Sequence, residues 1–318
     1  MSPYISLPTD YYQPAPQRLE VSIRKDYVEI EDGDNATTSV LTLKANDYGL
    51  FQQVYDFGTV QAEVLFGALI SGEDIGRWGY IFRQPDSGVV VGSGPITTLI
   101  GSQGRRNGVA EDAISSWGVT DTTHLRERIT FPTPTVDIPV SDGVTTHAWS
   151  AFARTKTGPA ETVALSFLRE NIGPLAIARR RLGVTHGYPD GVLQVPASLG
   201  RGPVISYTAT ANENVLQVMQ ECLAGTGLYF DVLQTGPGVL EVIVRESQLR
   251  EGIVWGVEAG TASGIALKGQ RRPKTDVINS GSGDDPSAVY VRRVAPSPPG
   301  GFAEVREEFI KGSGSIVT

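Results

Sequence analysis

The sequence predicts an α+β fold that is mainly β, ordered β, then α/β, then β along 318 residues. Three observations predict it. Short runs near both ends alternate apolar and polar residues at period two and are bracketed by Gly, Pro, Asn and Asp. One central block switches from period two to period 3.6 and back. With Gly at 37, Pro at 20, hydrophobic content at 40% and charged content at 19%, the composition is globular but shifted toward strands and turns. A chain of this length exceeds one typical domain and can bury more than one core.

The central block, residues 207–245, has the best-formed local pattern. Thr210 and Glu213 stand in the T-x-x-E spacing of a capping box, in which each side chain satisfies an orphan backbone N–H. Val215, Leu216, Val218, Met219, Cys222 and Leu223 then recur at three- and four-residue intervals as one apolar helix face. Gly225 and Gly227 offer the left-handed conformation that stops a helix. Leu228, Phe230 and Val232 alternate as a strand, residues 235–238 are turn chemistry, and Leu240, Val242 and Val244 share one side of a second strand. The Gly225-Thr226-Gly227 stretch is not a phosphate loop, because it follows a helix and precedes a strand with no Lys behind it.

The other elements follow in order. Residues 1–17 are rich in Pro and Tyr without periodicity and read as an N-terminal arm, ordered by a neighbouring subunit if at all. Leu19, Val21 and Ile23 alternate with Glu20, Ser22 and Arg24 as a first strand. Residues 27–30 continue it, 31–35 turn, and Val40, Leu41 and Leu43 begin another strand. Residues 77–91 form a hairpin about Pro85-Asp86-Ser87-Gly88. The first hundred residues thus read as a small barrel or sandwich. Residues 101–118 are expected to be a looser Gly-rich segment with Arg105 and Arg106 solvated, and 121–128 a short helix. Three prolines keep 129–139 from being a central strand. Helix is predicted over 161–171 and again over 176–182, where Arg179, Arg180 and Arg181 are expected to be mostly solvated. Strand-like runs return at 252–257, 264–268, 276–280 and 287–294. The domain division expected is an arm at 1–17, a β domain with a short helical insertion at 18–155, an α/β domain at 156–250 and a second β domain at 251–318, whose abrupt end suggests truncation or further chain.

Charge and reactive residues exclude several function classes. A net charge of −8 and pI near 5.0 oppose stable nucleic-acid binding, because bulk electrostatics repel a polyanion. Of the 27 basic residues, 21 are Arg and 6 are Lys, which fits a GC-rich coding genome. The single cysteine, Cys222, cannot form a disulfide within the chain or a thiolate zinc cluster, and is expected as a buried thiol. The N-terminus shows no signal core, and no run approaches the ~18 apolar residues of a membrane span. His124, His147 and His186 lie far apart, outside any H-E-x-x-H or G-x-S-x-G pattern, and are expected at the surface or against a partner. The acidic pairs Glu111-Asp112, Asp284-Asp285 and Glu307-Glu308 read as polar-loop carboxylates rather than a glycosidase pair, and Asp276 with Asp284 and Asp285 lacks EF-hand spacing. No catalytic, cofactor-binding or metal-binding residue is assigned, no cofactor is expected, and the chain is expected not to be an enzyme.

Three stretches together resemble a known family. Residues 111–134 (EDAISSWGVTDTTHLRERITFPTP) resemble a segment with an aspartate, a short helix ending in arginines and a Pro-rich exit. Residues 161–183 (ETVALSFLRENIGPLAIARRRLG) resemble its A-x-x-x-L-x-x-N-x-G-P-A-x-x-R helices. The 207–245 block, with 253–255 and 274–281, is similar to its N-V-x-V-x-G-x-G strand region. The family is that of actinobacteriophage minor tail proteins of the baseplate-hub, tail-associated type, and the resemblance spans roughly residues 22–293. It implies two small β-barrel domains joined by α/β insertions, assembled as a homotrimer whose six barrels cap a hexameric tail tube. It also implies a place at the distal end of the virion tail. The partners implied are the distal tail protein, the tape-measure protein and tail fibre or receptor-binding proteins. Two alternatives come from other classes. One is a tail-associated cell-wall or polysaccharide hydrolase; the other is a carbohydrate-binding adhesin exposing Tyr11, Tyr12, Trp78 and Tyr80.

Overall fold

The computed structural model describes residues 19–103, 105–106, 109–110, 112–137, 153–182, 193–211, 213–246, 265–270, 276–280, 290–294 and 307–311. The expected arm, the 252–257 run, His147, His186, Glu111 and Asp284-Asp285 lie outside the described residues.

The first unit is a curled antiparallel sheet with one helix across it. Its strands are β1 (Glu20–Lys25), β2 (Val28–Asp32), β3 (Thr38–Thr42), β4 (Leu50–Asp56), β5 (Trp78–Arg83), β6 (Val90–Gln103) and β9 (Ala113–Val119), and α1 (Val60–Ile70) follows β4. Two-residue strands β7 (Arg105–Arg106) and β8 (Val109–Ala110) pair with each other between β6 and β9. Asp26 and Tyr27 take φ of 53° and 63°, the positive values that a two-residue turn between twisted strands requires. The sheet order is β2-β1-β5-β6-β9-β4-β3. β6 organises it, because Val90 and residues 92–95 pair with β5 while its second half, between Ile96 and Ser102, pairs with β9. One face of the curl holds Val21, Ile23, Phe51, Tyr55, Tyr80, Phe82, Leu99 and Ile114 with Leu65 from α1. Each such side chain contributes roughly 1.5–3 kcal/mol on burial. β2 and β3 end the order unpaired with each other, so the sheet is open rather than a closed barrel among the described residues.

Two expectations are corrected here. Residues 101–103 and 113–119 are strand, not loose loop, because Ser102 and Gly101 stay in register with Ala113 and Ile114. Helix α1 had no predicted counterpart. Thr59 caps it, its Oγ1 accepting from Ala62 N at 3.2 Å. Its sequence VQAEVLFGALI spreads apolar residues around the helix, with Gln61 buried and Val60 and Ile70 exposed, so no 3.6-residue contrast marks it.

The second unit begins after α2 (Thr123–Arg126). It comprises β10 (Ala153–Pro159), α3 (Ala160–Asn171), β11 (Leu193–Gln194), β12 (Val204–Thr210), α4 (Val215–Leu223), β13 (Leu228–Gly236) and β14 (Val239–Glu246). β10 pairs with β12, β14 lies between β11 and β13, and α3 packs on α4. The predicted face of α4 is buried at all six positions, and Gly225 and Gly227 take φ of 69° and 72° as the helix stops. The cap differs from expectation. Thr210 ends β12, so Asn214 becomes the N-cap and its Oδ1 accepts from Gln217 N at 2.8 Å, while Thr210 Oγ1 donates to Glu213 Oε1 at 3.0 Å. The second predicted helix shrinks to a 3-10 turn at Ala178–Arg180.

The Pro-rich crossing is no central strand. It is stapled to the start of α4 instead, with Thr130 N to Glu213 O at 2.9 Å and Val215 N to Arg128 O at 2.8 Å. Beyond the second unit, β15 (Ile265–Gln270) hydrogen-bonds to β6 over residues 98–103 and so returns the chain to the first sheet. A last sheet has β16 (Asp276–Ser280) antiparallel to β17 (Tyr290–Val294) and parallel to β18 (Glu307–Lys311).

Candidate functional site

Two buried charge nodes lie where these units meet, and α2 stands between them. The first forms around Arg24. Its β1 position predicts an outward side chain, yet only 2% of Arg24 is exposed. Glycines make the room. A Cβ at Gly79 would lie 2.2 Å from the Gly94 carbonyl oxygen and 2.7 Å from Arg24 Nε, and one at Gly94 would lie 1.9 Å from the Val119 oxygen. Through this window the guanidinium meets Asp121 in a bidentate pair, Nη2 to Oδ1 at 2.6 Å and Nη1 to Oδ2 at 2.9 Å. Nη1 also donates to Gln234 Oε1 on β13. Ser93 Oγ donates to Asp121 Oδ2 at 2.6 Å and accepts from Gln234 N at 2.7 Å. Gln234 Nε2 donates to the Tyr27 carbonyl at 2.6 Å. One ion pair thus joins β1, β6, β13 and the residues that lead into α2. Burial alone would raise the Asp121 pKa, but Arg24 and His124 overcome it and hold the carboxyl well below its ordinary range.

The second node forms around Glu307 at the start of β18. Arg180 Nε donates to Oε1 and Nη2 to Oε2, both at 2.9 Å. Arg180 Nη2 also donates to the Ile129 carbonyl, and its guanidinium lies 3.7 Å from the Phe131 ring centroid. Ile129 N donates to Glu307 Oε2 at 3.3 Å, and Glu307 N to the Glu127 carbonyl at 2.7 Å. Arg179 reaches Glu307 Oε1 at 3.3 Å and Asp137 Oδ1 at 2.5 Å. Burial raises the Glu307 pKa, and the positive charges of Arg180, Arg128 and Arg179 more than reverse this, bringing it to about 2. Both carboxylates are therefore ionised near neutrality and filled with donors. They hold structure together rather than standing poised to move protons.

Several sequence expectations change place. His124 is 2% exposed and belongs to the first node, because it lies on the inner side of α2 with Nε2 3.2 Å from Asp121 Oδ1, while Arg126 takes the outer side. Glu307 opens a strand under Arg180 instead of sitting in a polar loop. Arg180 is fully buried, so the three arginines do point in different directions but are not mostly solvated. Trp78 and Tyr80 are core residues at 5% and 0% exposure, which removes them from any aromatic adhesive surface. Cys222 is buried as expected, and burial pushes its thiol up to about 12. Arg24, Ser93, Asp121 and Gln234 escaped the sequence reading. The signal that could have found them is the presence of Gly79, Gly94 and Gly118 inside apolar strands, which marks a close backbone approach. A separate cleft of about 280 Å³, walled by Ile172, Gly173, Pro174, Leu182, Leu193 and Val195, contains none of the node residues.

No protein-family model and no curated protein sequence matches this chain. It is similar to solved structures of phage and prophage tail proteins. With the 43 kDa tail protein of prophage MuSo2 from Shewanella oneidensis it shares 13% identity at a TM-score of 0.39, covering 92% of this chain and 71% of that one. With the tail protein from Neisseria meningitidis MC58 the values are 12%, 0.34, 94% and 72%. With prophage tail protein gp18 from Listeria monocytogenes EGD-e they are 10%, 0.38, 92% and 72%.

Proposed function

We propose that this chain is a structural baseplate-hub protein at the tail tip of a long-tailed bacteriophage. It closes the tail tube, contacts the distal tail and tape-measure proteins, anchors receptor-binding parts, and opens for genome delivery. The observation that carries this reading is the use of its buried charges. Asp121 and Glu307, 0% and 1% exposed, each tie together segments far apart in sequence. That suits a part that must transmit force between partners without chemistry of its own. The sequence resemblance over residues 111–134, 161–183 and 207–245 supplies the family. In this reading the curled first sheet is one barrel-like unit and the β16–β18 sheet belongs to a second, so that a homotrimer presents six such units around the tube axis. The acidic balance suits a passage that must not retain DNA.

Immunogold electron microscopy on intact particles, with antibody to this chain, tests the proposal. Gold confined to the distal tail end is the expected result. Gold along fibres, or infectious particles assembled without the protein, would overturn it.

A further inference from the structure

β13 stands at one end of its sheet, in the order β11-β14-β13. Its free edge lies against the first unit, yet no strand of that unit pairs with it among the described residues. Successive amides along a strand point to opposite edges. Those of Phe230, Val232 and Gln234 point away from β14, and each donates to a side-chain oxygen of the first unit. Phe230 N reaches Asn46 Oδ1 at 2.9 Å, Val232 N reaches Thr122 Oγ1 at 3.1 Å, and Gln234 N reaches Ser93 Oγ at 2.7 Å. Asn46 also donates from Nδ2 to the Leu228 carbonyl at 3.3 Å. Its side-chain amide therefore occupies the carbonyl and the N–H that one residue of an added strand would occupy. The three side chains come from separate segments: the loop between β3 and β4, the residue before α2, and β6. Sheet edges are ordinarily protected by Lys, Pro or bulges that repel a further strand. β13 (LYFDVLQTG) has no Lys or Pro, a single charge at Asp231, and an irregularity only toward its end, between Gln234 and Gly236. Its protection is lent by the first unit.

We propose that Asn46, Thr122 and Ser93 guard the β13 edge as stand-ins for a neighbouring strand, and that this edge, once uncovered, pairs with β13 of a second copy of the chain. A buried backbone amide needs an acceptor. Withdrawing the guards leaves three amides at strand spacing beside the Leu228 carbonyl, which is the template that strand addition uses. The β13 edge of a second copy presents the same groups, so a two-fold antiparallel pair satisfies both edges at once. Side chains, unlike a strand, hold the edge without fusing the two sheets, so the seam can part without breaking a ladder.

The test uses the whole chain carrying Asn46→Gly and Thr122→Val. Glycine accepts the φ of 57° at position 46, and valine keeps the shape of threonine while removing the hydroxyl. Amide exchange is measured over 215–223 and 228–236, and sedimentation velocity compares variant with parent across a range of concentrations. In dilute solution, exchange over 228–236 is expected to rise about tenfold while 215–223 stays protected. As concentration rises, the variant is expected to associate beyond the parent and 228–236 to regain protection. Parental exchange or a parental sedimentation profile would overturn the guard, as would association that leaves 228–236 unprotected. Should the double variant not fold, Asn46→Gly alone decides by the same two readouts. Faster exchange of the Phe230 amide together with association beyond the parent is then expected, and the absence of either refutes the proposal.

Discussion

At the scale of single residues, the fold depends on charges that have left water together. Removing one partner strands the other, and breaking such a buried pair costs about 3–5 kcal/mol. Arg24→Met and Asp121→Asn are each expected to lower stability by this order in urea titration, and the double variant by clearly less than the sum. Asp231 behaves in the opposite sense. Burial pushes its carboxyl up to about 6, against the pull of Arg245 and Thr122. The folded state therefore prefers the neutral acid, and stability falls as pH rises from the ordinary carboxylate value toward about 6. Asp231→Asn should leave stability unchanged at about pH 4 and raise it by about 1–2 kcal/mol at about pH 8, read from urea midpoints at the two pH values.

At the scale of elements, the close crossing of β5, β6 and β9 is set by glycine. Gly94→Ala would place a methyl 1.9 Å from the Val119 oxygen and 2.7 Å from Thr120 Cα, neither of which can move aside like a flexible side chain. A loss on the order of 3 kcal/mol or more is expected in thermal unfolding. Gly67→Ala is the control: its methyl meets nothing within 4 Å on the exposed side of α1, and helix propensity predicts a gain of about 0.5–1 kcal/mol. The same contrast explains what the sequence revealed. α4, β13 and β14 were legible residue by residue, because cap, period and turn chemistry agree there. α1 was not, since its apolar residues lie on the exposed side as well as the buried one and Gln61 is buried among them, which leaves no pattern to read. The nodes were not legible either: Arg24 and Asp121 are 97 positions apart, and nothing local to either announces the other. Arg180 misled for the same reason, because charge normally predicts solvent until a partner such as Glu307 is known.

At the scale of the whole molecule, the last sheet is held to the rest partly by one carboxylate, and this makes a local prediction. Glu307→Gln should speed amide exchange in residues 276–280 and 307–311 while leaving residues 20–25 and 78–83 protected. Acid should do the same to the native protein, since a depressed carboxyl pKa contributes stability above its ordinary value and loses it as pH falls toward about 2. A different consequence comes from Cys222, the lone thiol, which is 1% exposed at the centre of the second core. Alkylating reagents consume thiolate, and a thiol pushed up to about 12 and shut away from solvent offers almost none. Each labelling event therefore records one excursion of that core to an open form. With reagent in excess, the labelling rate becomes a clock for how often the α/β unit breathes, built into the chain without any engineered probe.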